Sequence, residues 1–493
     1  MNKNITVKVN GIPYTVYEGT VLSSFVKTDM PCGSHGKCGK CKVKVFGHVS
    51  ELSQKEREVL TEEELRDGVR LACRTKVMGE CSITTFDTAD TQVLTDAKRS
   101  AATHPMFTRY GIAVDVGTTT VAAALYDTNG SVISTEGALN PQSKYGADVI
   151  SRIEAALGGH ADDLKALICD KISEIVKSLL QKCNVGRCDV DALVITGNTA
   201  MLHLLTGTDT EPLSHAPFKA KRLFGEYVNI AALGIDGLAD GAVCYLPPCI
   251  GSFVGADTLC ALLTVKKEGT FLLTDIGTNG EIVLFKDGNI TACSTAAGPA
   301  FEGAGIKMGM RANNGAVDKV SIVNGRLFAH VIGDTEPVGI CGSGLIDAVS
   351  CLLKTEELDE TGYLENDVVI LPPVVITPED IRMVQLAKSA VRAGIQTLIT
   401  KHGTTAKALE KIYVAGGFGH HLDIENVMTV GLLPRIPKSR VEFIGNAALT
   451  GAGILLTDKT LHKECEELAK NTLTAELATD PIFTENYIEY MMF

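Results

Sequence analysis

The chain has 493 residues, a formal net charge of −13 and 15 cysteines. Its length predicts about two to four domains with sizeable cores, and its negative charge argues against a nucleic-acid partner, because such binders present a basic face. It contains no apolar run of about 18 residues and no basic leader followed by an apolar stretch, so we expect a soluble, cytoplasmic protein without a membrane partner.

The N-terminal segment begins with a predicted hairpin. Residues 5–17 alternate apolar and polar side chains on both sides of Asn10-Gly11, a pair typical of two-residue hairpin turns. A short helix is expected at residues 21–26. Residues 53–56 and 61–64 match the capping-box pattern, which predicts two short acidic helices whose charges form a solvated face.

Four cysteines form a distinctive pattern in this segment. They leave five residues in the first gap, two in the second and 31 in the third, and they are Cys32, Cys38, Cys41 and Cys73. Thiolates are the ligands of iron–sulfur clusters, and the glycines of this loop can direct N–H groups at sulfides. The spacing resembles that of adrenodoxin-like [2Fe–2S] ferredoxins, while a structural zinc site or disulfides remain alternatives. Cys81 is a competing fourth ligand, although its strand-like surroundings favour a packed side chain.

The resemblance to ferredoxins implies a β-grasp, ferredoxin-like domain over residues 1–86. Residues 87–108 are rich in Thr, Asp, Ala and Ser and have little apolar periodicity, so we interpret them as a linker. From residue 109 onward, strands alternate with helices. This alternation predicts an α/β architecture for the rest of the chain.

The first strand of this α/β part ends in an acidic turn. Asp115 is a charge that a buried strand tolerates only for a function, and Gly117 permits a tight turn. The backbone N–H groups and hydroxyls of such a turn suit a phosphate, and the aspartate suits a hydrated Mg²⁺. The hydroxyls are those of Thr118, Thr119 and Thr120.

The same order of residues returns 160 positions later. The second turn contains Asp275, Gly277, Thr278 and Asn279. Two acidic turns that face each other across a cleft can clamp one metal-bound triphosphate. Two ordinary hairpins are the alternative, because Asp and Gly are also common in turns without any ligand.

The two turns resemble the phosphate motifs of the actin-like ATPase superfamily, which includes sugar kinases and heat-shock chaperones. The adenosine motif of that superfamily is similar to residues 412–419, where Gly416 and Gly417 offer a nucleotide ring a backbone without Cβ atoms. The resemblance implies a two-lobed, ribonuclease H-like ATPase with lobes at residues 109–268 and 269–493. Its ligands would be ATP and Mg²⁺.

Three other places are candidates for this cleft. Glu302 is the one acid of a glycine-rich stretch and is predicted to orient a water or a metal, as a catalytic residue beside the two aspartates. A polar turn that begins a helix either presents Asn198 or Thr199 to the cleft or caps that helix. Residues 446–451 resemble the second connecting helix of the superfamily, whose small residues let the two lobes approach and hinge.

A ferredoxin-like part and an ATPase cleft in one chain resemble the reductive activators of corrinoid proteins. The stretches that carry this resemblance most specifically are residues 140–142, 145–150 and 298–309. The resemblance implies that ATP turnover drives one electron from a [2Fe–2S] cluster to a Co(II) corrinoid, giving Co(I) for methyl transfer. It also implies a corrinoid protein as partner, an upstream reductase or ferredoxin as electron donor and, by analogy alone, a homodimer.

Two other functions are compatible with the same motifs. In the first, the protein is a small-molecule kinase whose ferredoxin part is regulatory, which predicts a phosphorylated product. In the second, it is a plain electron carrier whose nucleotide-binding module does not hydrolyse ATP. Reduction of a corrinoid protein with and without Mg-ATP distinguishes the three hypotheses.

Overall fold

A computed structural model describes residues 4–26, 28, 30, 34, 36–86, 95–98, 102–417 and 422–493. The chain divides into two compact units. The first comprises Met1–Asp90 and Pro141–Ala155, and we call it the N-terminal unit. The second comprises Thr91–Asn140 and Ala156–Phe493, and we call it the large unit.

The N-terminal unit is built on one five-stranded mixed sheet with the strand order β2-β1-β5-β3-β4. Its elements are β1 (Asn4–Val9), β2 (Ile12–Tyr17), β3 (Lys42–Val49), α1 (Gln54–Val59), α2 (Glu62–Arg66), β4 (Val69–Leu71), β5 (Val77–Thr85) and α3 (Val149–Ala155). Strands β1 and β2 pair as the predicted hairpin, and Asn10 and Gly11 both have positive φ angles, as a type I′ turn requires. The helix expected at residues 21–26 is a single 3₁₀ turn, Leu22–Ser24.

Both predicted capping boxes are present, at the starts of α1 and α2. The expectation that their charges form a solvated face is wrong for Glu56. This carboxylate is fully buried and accepts a hydrogen bond from Arg70 Nε at 2.9 Å. It also accepts hydrogen bonds from Leu71 N and Thr75 Oγ1. Glu56 therefore ties α1 to β4 instead of facing water.

The first half of the large unit contains a six-stranded sheet, which we call the first sheet, with the order β10-β11-β9-β6-β7-β8. The elements of this half are β6 (Tyr110–Val116), β7 (Thr120–Asp127), β8 (Val132–Leu139), α4 (Ala161–Cys183), β9 (Val190–Gly197), α5 (Thr199–Thr206), β10 (Glu226–Asn229), α6 (Ile230–Leu233), β11 (Val243–Leu246) and α7 (Ala256–Leu263).

The second half contains another six-stranded sheet, the second sheet, with the order β21-β20-β12-β13-β14-β22. The elements of this half are β12 (Thr270–Ile276), β13 (Gly280–Lys286), β14 (Asn289–Thr295), β15 (Ala316–Val323), β16 (Arg326–Val331), β17 (Gly339–Ile340), α8 (Gly342–Lys354), β18 (Val368–Leu371), β19 (Val374–Ile376), α9 (Pro378–Lys401), β20 (Lys411–Ala415), α10 (Ile424–Val430), β21 (Val441–Gly445), α11 (Ala447–Thr457), α12 (Leu461–Asn471), β22 (Leu473–Thr474) and α13 (Pro481–Glu489).

The two sheets repeat one topology. In the first sheet β6, β7 and β8 form an antiparallel meander, and β9 and β11 extend it in parallel from β6. In the second sheet β12, β13 and β14 form the meander, and β20 and β21 extend it in parallel from β12. This duplication is the arrangement expected of a two-lobed, actin-like fold.

Helices α7 and α11 pack tightly against each other between the two sheets. A Cβ atom on Gly451 of α11 would overlap the carbonyl group of Cys260 in α7. One on Gly453 would overlap the ring of Tyr126 in β7. The small residues of α11 therefore allow the close helix approach that the sequence predicts.

Parts of the predicted linker, residues 87–108, pack on the large unit. Met106 N donates a hydrogen bond to Leu456 O at 3.0 Å, and Phe107 is buried. Thr450 Oγ1 donates to Asp96 O at 3.4 Å. Residues 87–94 and 99–101 lie outside the described residues. Across the described ranges, no helix is long and apolar enough to cross a membrane.

Candidate functional site

The two acidic turns lie at equivalent ends of β6 and β12. Asp115 and Asp275 are each the second-last residue of their strand, and each strand turns directly into its antiparallel neighbour. Gly117 N donates a hydrogen bond to Thr120 O at 2.9 Å, and Gly277 N donates to Asn279 O at 3.0 Å. The two sequence motifs therefore form two similar tight turns.

Glu302 connects the two turns directly. Its Oε2 accepts a hydrogen bond from Thr119 Oγ1 at 2.8 Å, and its Oε1 accepts one from Thr278 Oγ1 at 2.7 Å. Thr119 belongs to the first turn and Thr278 to the second. One carboxylate thus spans the space between them, which brings the two motifs and the predicted acid into a single site.

Burial dominates the electrostatics of the two aspartates. It raises the pKa of Asp115 to about 7, an effect that the nearby charges of Asp257 and Asp275 increase and a hydrogen bond from Asn446 opposes. Burial likewise raises the pKa of Asp275 to about 7, and the charges of Asp257 and Glu302 add to it. A buried carboxyl group with a raised pKa is stabilised either by a bound proton or by a nearby cation.

Two further acids at this site were missed by the sequence reasoning. Asp257 lies in the first turn of α7, and burial raises its pKa to about 6. Glu281 on β13 is the direct cross-strand partner of Asp275, and burial raises its pKa as well. The signal for Asp257 was the glycine at position 255 just before an apolar helix, and the signal for Glu281 was its place shortly after the second acidic turn.

Asparagine side chains hold the turns in place. Asn140 is fully buried; its Nδ2 donates a hydrogen bond to Gly117 O at 2.9 Å, and its backbone N donates to Thr119 O. Asn198 caps α5 through Met201 N, and its Nδ2 also donates to Thr118 Oγ1 at 3.1 Å. The two interpretations of Asn198, as a helix cap and as a cleft residue, are thus both correct.

The predicted adenosine motif, residues 412–419, begins within β20, and its two glycines directly follow this strand. Gly416 has a φ of +95°, and a Cβ atom at this position would overlap Asp275 Oδ1. The absent side chain therefore makes room for the aspartate, a reason that differs from the predicted contact with a nucleotide ring. Gly417 follows it, and the motif's last residues, 418 and 419, lie outside the described residues.

Oxygen donors around the two turns fit a magnesium nucleotide. Buried carboxylates and threonine hydroxyls are the ligands Mg²⁺ prefers, and it usually binds through one or two carboxylates plus phosphates and water. In the described part of the chain, no three His, Cys, Asp or Glu side chains are grouped as direct ligands of a metal ion.

The cysteine loop belongs to the N-terminal unit. Cys41 Sγ and Cys73 Sγ are 3.2 Å apart, too far for a disulfide, and both side chains are buried. The hydrogen bond between them and burial raise the pKa of Cys41, so a bound metal would have to replace the thiol protons. Cys38 is half-buried, and Cys32 lies outside the described residues. Two adjacent sulfurs fit a thiolate-bound cluster.

Cys81, the competing fourth ligand, lies in the middle of β5. It pairs with Val7 of β1 and is buried in the core of the sheet. This position agrees with the predicted packed side chain.

Three family descriptions match successive parts of the chain. Residues 8–78 match the 2Fe-2S iron-sulfur cluster binding domain. Residues 110–268 match the RACo middle region, and residues 269–493 match the C-terminal domain of RACo, the ASKHA domain. ASKHA proteins are the actin-like ATPases that the acidic turns resemble.

Individual relatives match over most of the chain. The corrinoid activation enzyme RamQ of Eubacterium limosum is 36% identical over 423 residues, which cover 78% of this chain and 70% of that protein. The Co(II) methylated amine-specific corrinoid protein reductase of Methanosarcina barkeri is 29% identical over 422 residues, covering 77% and 76%. The solved structure of a reductive activator for a corrinoid, iron-sulfur protein matches with a TM-score of 0.73 at 26% identity, over 99% of this chain and 98% of that chain.

The fold, the candidate site and the matches to known proteins together define the class of this protein. It combines a β-grasp [2Fe–2S] domain with an actin-like, ATP-binding domain, as the sequence predicts. The chain belongs to the family of reductive activators of corrinoid proteins.

Proposed function

We propose that the protein uses ATP to drive one electron from its [2Fe–2S] cluster to the Co(II) of a corrinoid protein, giving Co(I). The cluster loses the electron that cobalt gains, and an upstream reductase or ferredoxin replaces it. The observation that carries this proposal is the Glu302 bridge between the turns of Asp115 and Asp275. This contact supports a nucleotide-binding cleft in the same chain as the cysteine loop.

The need for ATP follows from the redox chemistry. For one electron, each about 59 mV of unfavourable potential difference lowers the equilibrium constant about tenfold. A low-potential cobalt therefore receives few electrons from an ordinary ferredoxin. We propose that ATP binding closes the cleft, that the closed form binds the corrinoid protein and changes the coordination of its cobalt, and that hydrolysis releases this partner.

The acids of the cleft have separate roles in this proposal. Asp115 and Asp275 hold Mg²⁺, whose charge offsets the cost of ionising them in a buried site. The hydroxyls of Thr119 and Thr278 turn from Glu302 to the phosphates of the nucleotide, and the released carboxylate then orients the attacking water. The residues proposed to bind the nucleotide are Gly117, Thr118, Thr119, Thr120, Gly277, Thr278, Asn279, Gly416 and Gly417. Those proposed to bind the cluster are Cys32, Cys38, Cys41 and Cys73.

The proposal also assigns a role to each part of the chain. Residues 1–86 carry the electron, residues 87–108 link, and residues 109–268 and 269–493 form the lobes that close on ATP. We further propose a homodimer that works in the cytoplasm, where a reducing environment suits the many cysteines that form no disulfide in the described residues.

The test compares Asp115→Asn with Asp170→Asn, an exposed substitution on α4. Both variants are purified with their clusters intact, reduced, and mixed with a Co(II) corrinoid protein, with and without Mg-ATP, while the cobalt spectrum is recorded. Asp170→Asn should form Co(I) only with Mg-ATP, and Asp115→Asn should form almost none. Normal ATP-driven Co(I) formation by Asp115→Asn would contradict the site assignment, and Co(I) formation without ATP would contradict the coupling.

A further inference from the structure

Lys388 is a buried lysine of α9 that forms no ion pair with a carboxylate of the described residues. Lys388 is about 1% exposed, and its ammonium group donates a hydrogen bond to Met492 O and lies 4.7 Å from the centre of the Phe493 ring. Within the part of the chain that the structure describes, no carboxylate lies in ion-pair range of it. An unpaired cation is costly to bury, because a carbonyl and a ring replace only part of its hydration.

A second cation lies one helical turn further along α9. The guanidinium group of Arg392 stacks 4.3 Å from the centre of the Tyr490 ring. Burial lowers the pKa of Lys388 to about 8, and the nearby positive charge of Arg392 adds to this effect. The same face of α9 holds the residues after α13 in place, since Gln385 donates to Met491 O and Ser389 to Tyr490 O.

These two cations line a cavity of about 330 Å³ between α9, the loop after α10 and the residues that follow α13. Arg435, which is exposed, contributes a third positive charge at its edge. Glu489 contributes the one acidic side chain of the lining. The lining therefore has more basic than acidic side chains in a protein whose net charge is −13. Its volume is within the range of small-molecule sites.

We propose that this cavity binds a small oxyanion, the phosphate or carboxylate group of a metabolite, between Lys388, Arg392 and Arg435. An ammonium group has three N–H donors, and the carbonyl of Met492 uses one of them. A planar guanidinium can add a bidentate contact to the same anion. The bound anion would neutralise part of the positive charge of Lys388 and Arg392. This site is separate from the acidic turns and does not depend on the function proposed for them.

A single tryptophan makes the cavity observable. The natural chain contains no tryptophan, so Phe493→Trp introduces the only one, on the wall of the cavity. Its fluorescence is recorded while inorganic phosphate or succinate is added at constant ionic strength. We expect a saturable change with phosphate, with succinate or with both, and the pattern distinguishes a phosphate-bearing ligand from a carboxylate-bearing one.

Three arginine substitutions, each made in the Phe493→Trp protein, test the proposed site. Arg392→Gln should weaken binding roughly tenfold or more, because a charge-assisted contact is lost. Arg435→Gln should weaken it about threefold, as expected of an exposed charge, and it tests the site even if Arg392→Gln folds poorly. Arg382→Gln, an exposed change on the same helix outside the cavity, should leave binding unchanged. The proposal is overturned if neither anion gives a saturable change, or if Arg435→Gln and Arg382→Gln bind equally well.

Discussion

Asn446 donates a hydrogen bond from its side-chain nitrogen to Asp115 Oδ2 at 3.0 Å, although 331 positions separate the two residues. The side-chain oxygen of Asn446 accepts a hydrogen bond from Leu449 N at 2.8 Å and so caps α11. One amide thus begins the helix that packs between the sheets and stabilises the ionised form of the first acidic turn. The geometry of the aspartate and the position of α11 are therefore linked.

Replacing Asn446 by Ser separates these two roles. Serine is as good a helix cap as asparagine, so α11 should keep its start, but the amide donor to Asp115 is lost. A hydrogen bond to a charged group contributes about 1.5–3 kcal/mol, so we expect ATP hydrolysis to fall about tenfold or more while the thermal midpoint changes little. Steady-state ATPase rates and thermal unfolding measure the two effects.

The matched control is Asn229→Ser at the cap of α6, where the side chain accepts from Ala231 N. It makes the same chemical change at a helix that carries none of the acids. Its ATPase rate should equal that of the natural protein. Equal rates for Asn446→Ser and Asn229→Ser would show that the contact with Asp115 has no role in turnover.

Gly416→Ala tests the approach of β20 to the second acidic turn. The new methyl group would overlap Asp275 Oδ1, so the aspartate must move or the strand end must shift. We expect loss of ATP hydrolysis and of Mg-ATP binding, measured by isothermal calorimetry. The control is Gly241→Ala, which has a similar positive φ of +81° but no atom within 4 Å of the added Cβ. Both substitutions should lower the free energy of unfolding by about 1–2 kcal/mol, because alanine is strained in a left-handed backbone conformation. Only Gly416→Ala should also reduce the binding and hydrolysis of ATP. Unaltered ATP binding by Gly416→Ala would contradict a nucleotide site at Asp275.

The sequence predicted those parts of the fold and site that depend on neighbouring residues. Alternating side chains and an Asn-Gly pair identify the first hairpin, and a strand, an acid and a glycine identify each acidic turn. These signals are local, because strand period and turn geometry are properties of short segments. The duplicated motif also predicted two lobes, because each acidic turn follows a strand that belongs to its own sheet.

Residues whose partners lie far along the chain were misread or missed. A capping box describes only the first turn of a helix, so it did not reveal that Glu56 is buried against Arg70 on β4. Asp257 enters the site because α7 packs beside the first sheet, a contact that no local pattern specifies. The close approach of Gly416 to Asp275 was missed because Asp275 comes from another strand.

The identity of the fourth cluster ligand leads to another prediction. Cys73 Sγ lies beside Cys41 Sγ, whereas Cys81 is packed in β5. After anaerobic reconstitution, Cys73→Ser should lose most of its iron and its visible absorption. Cys81→Ser should retain both, with a small loss of stability from a buried hydroxyl. Iron content and visible spectra report the result, and a colourless Cys81→Ser beside a normally coloured Cys73→Ser would reverse the assignment.

Glu56 predicts how the stability of the N-terminal unit depends on pH. Burial opposes its ionisation, but Arg70 and the backbone of Ser53 outweigh burial and lower its pKa from 4.5 to about 2. A lowered pKa in the folded state stabilises the fold above about pH 4.5, and this contribution, about 1–3 kcal/mol, is lost as the pH falls towards about 2. Glu56→Gln should remove the dependence and leave Arg70 buried without its charge partner, which costs further stability near neutral pH.

Amide hydrogen exchange of peptides from β4 and β5, followed as the pH is lowered, measures the effect. The exposed change Glu58→Gln on the same helix should behave like the natural protein, and identical acid profiles for all three proteins would show that Glu56 does not contribute to acid stability.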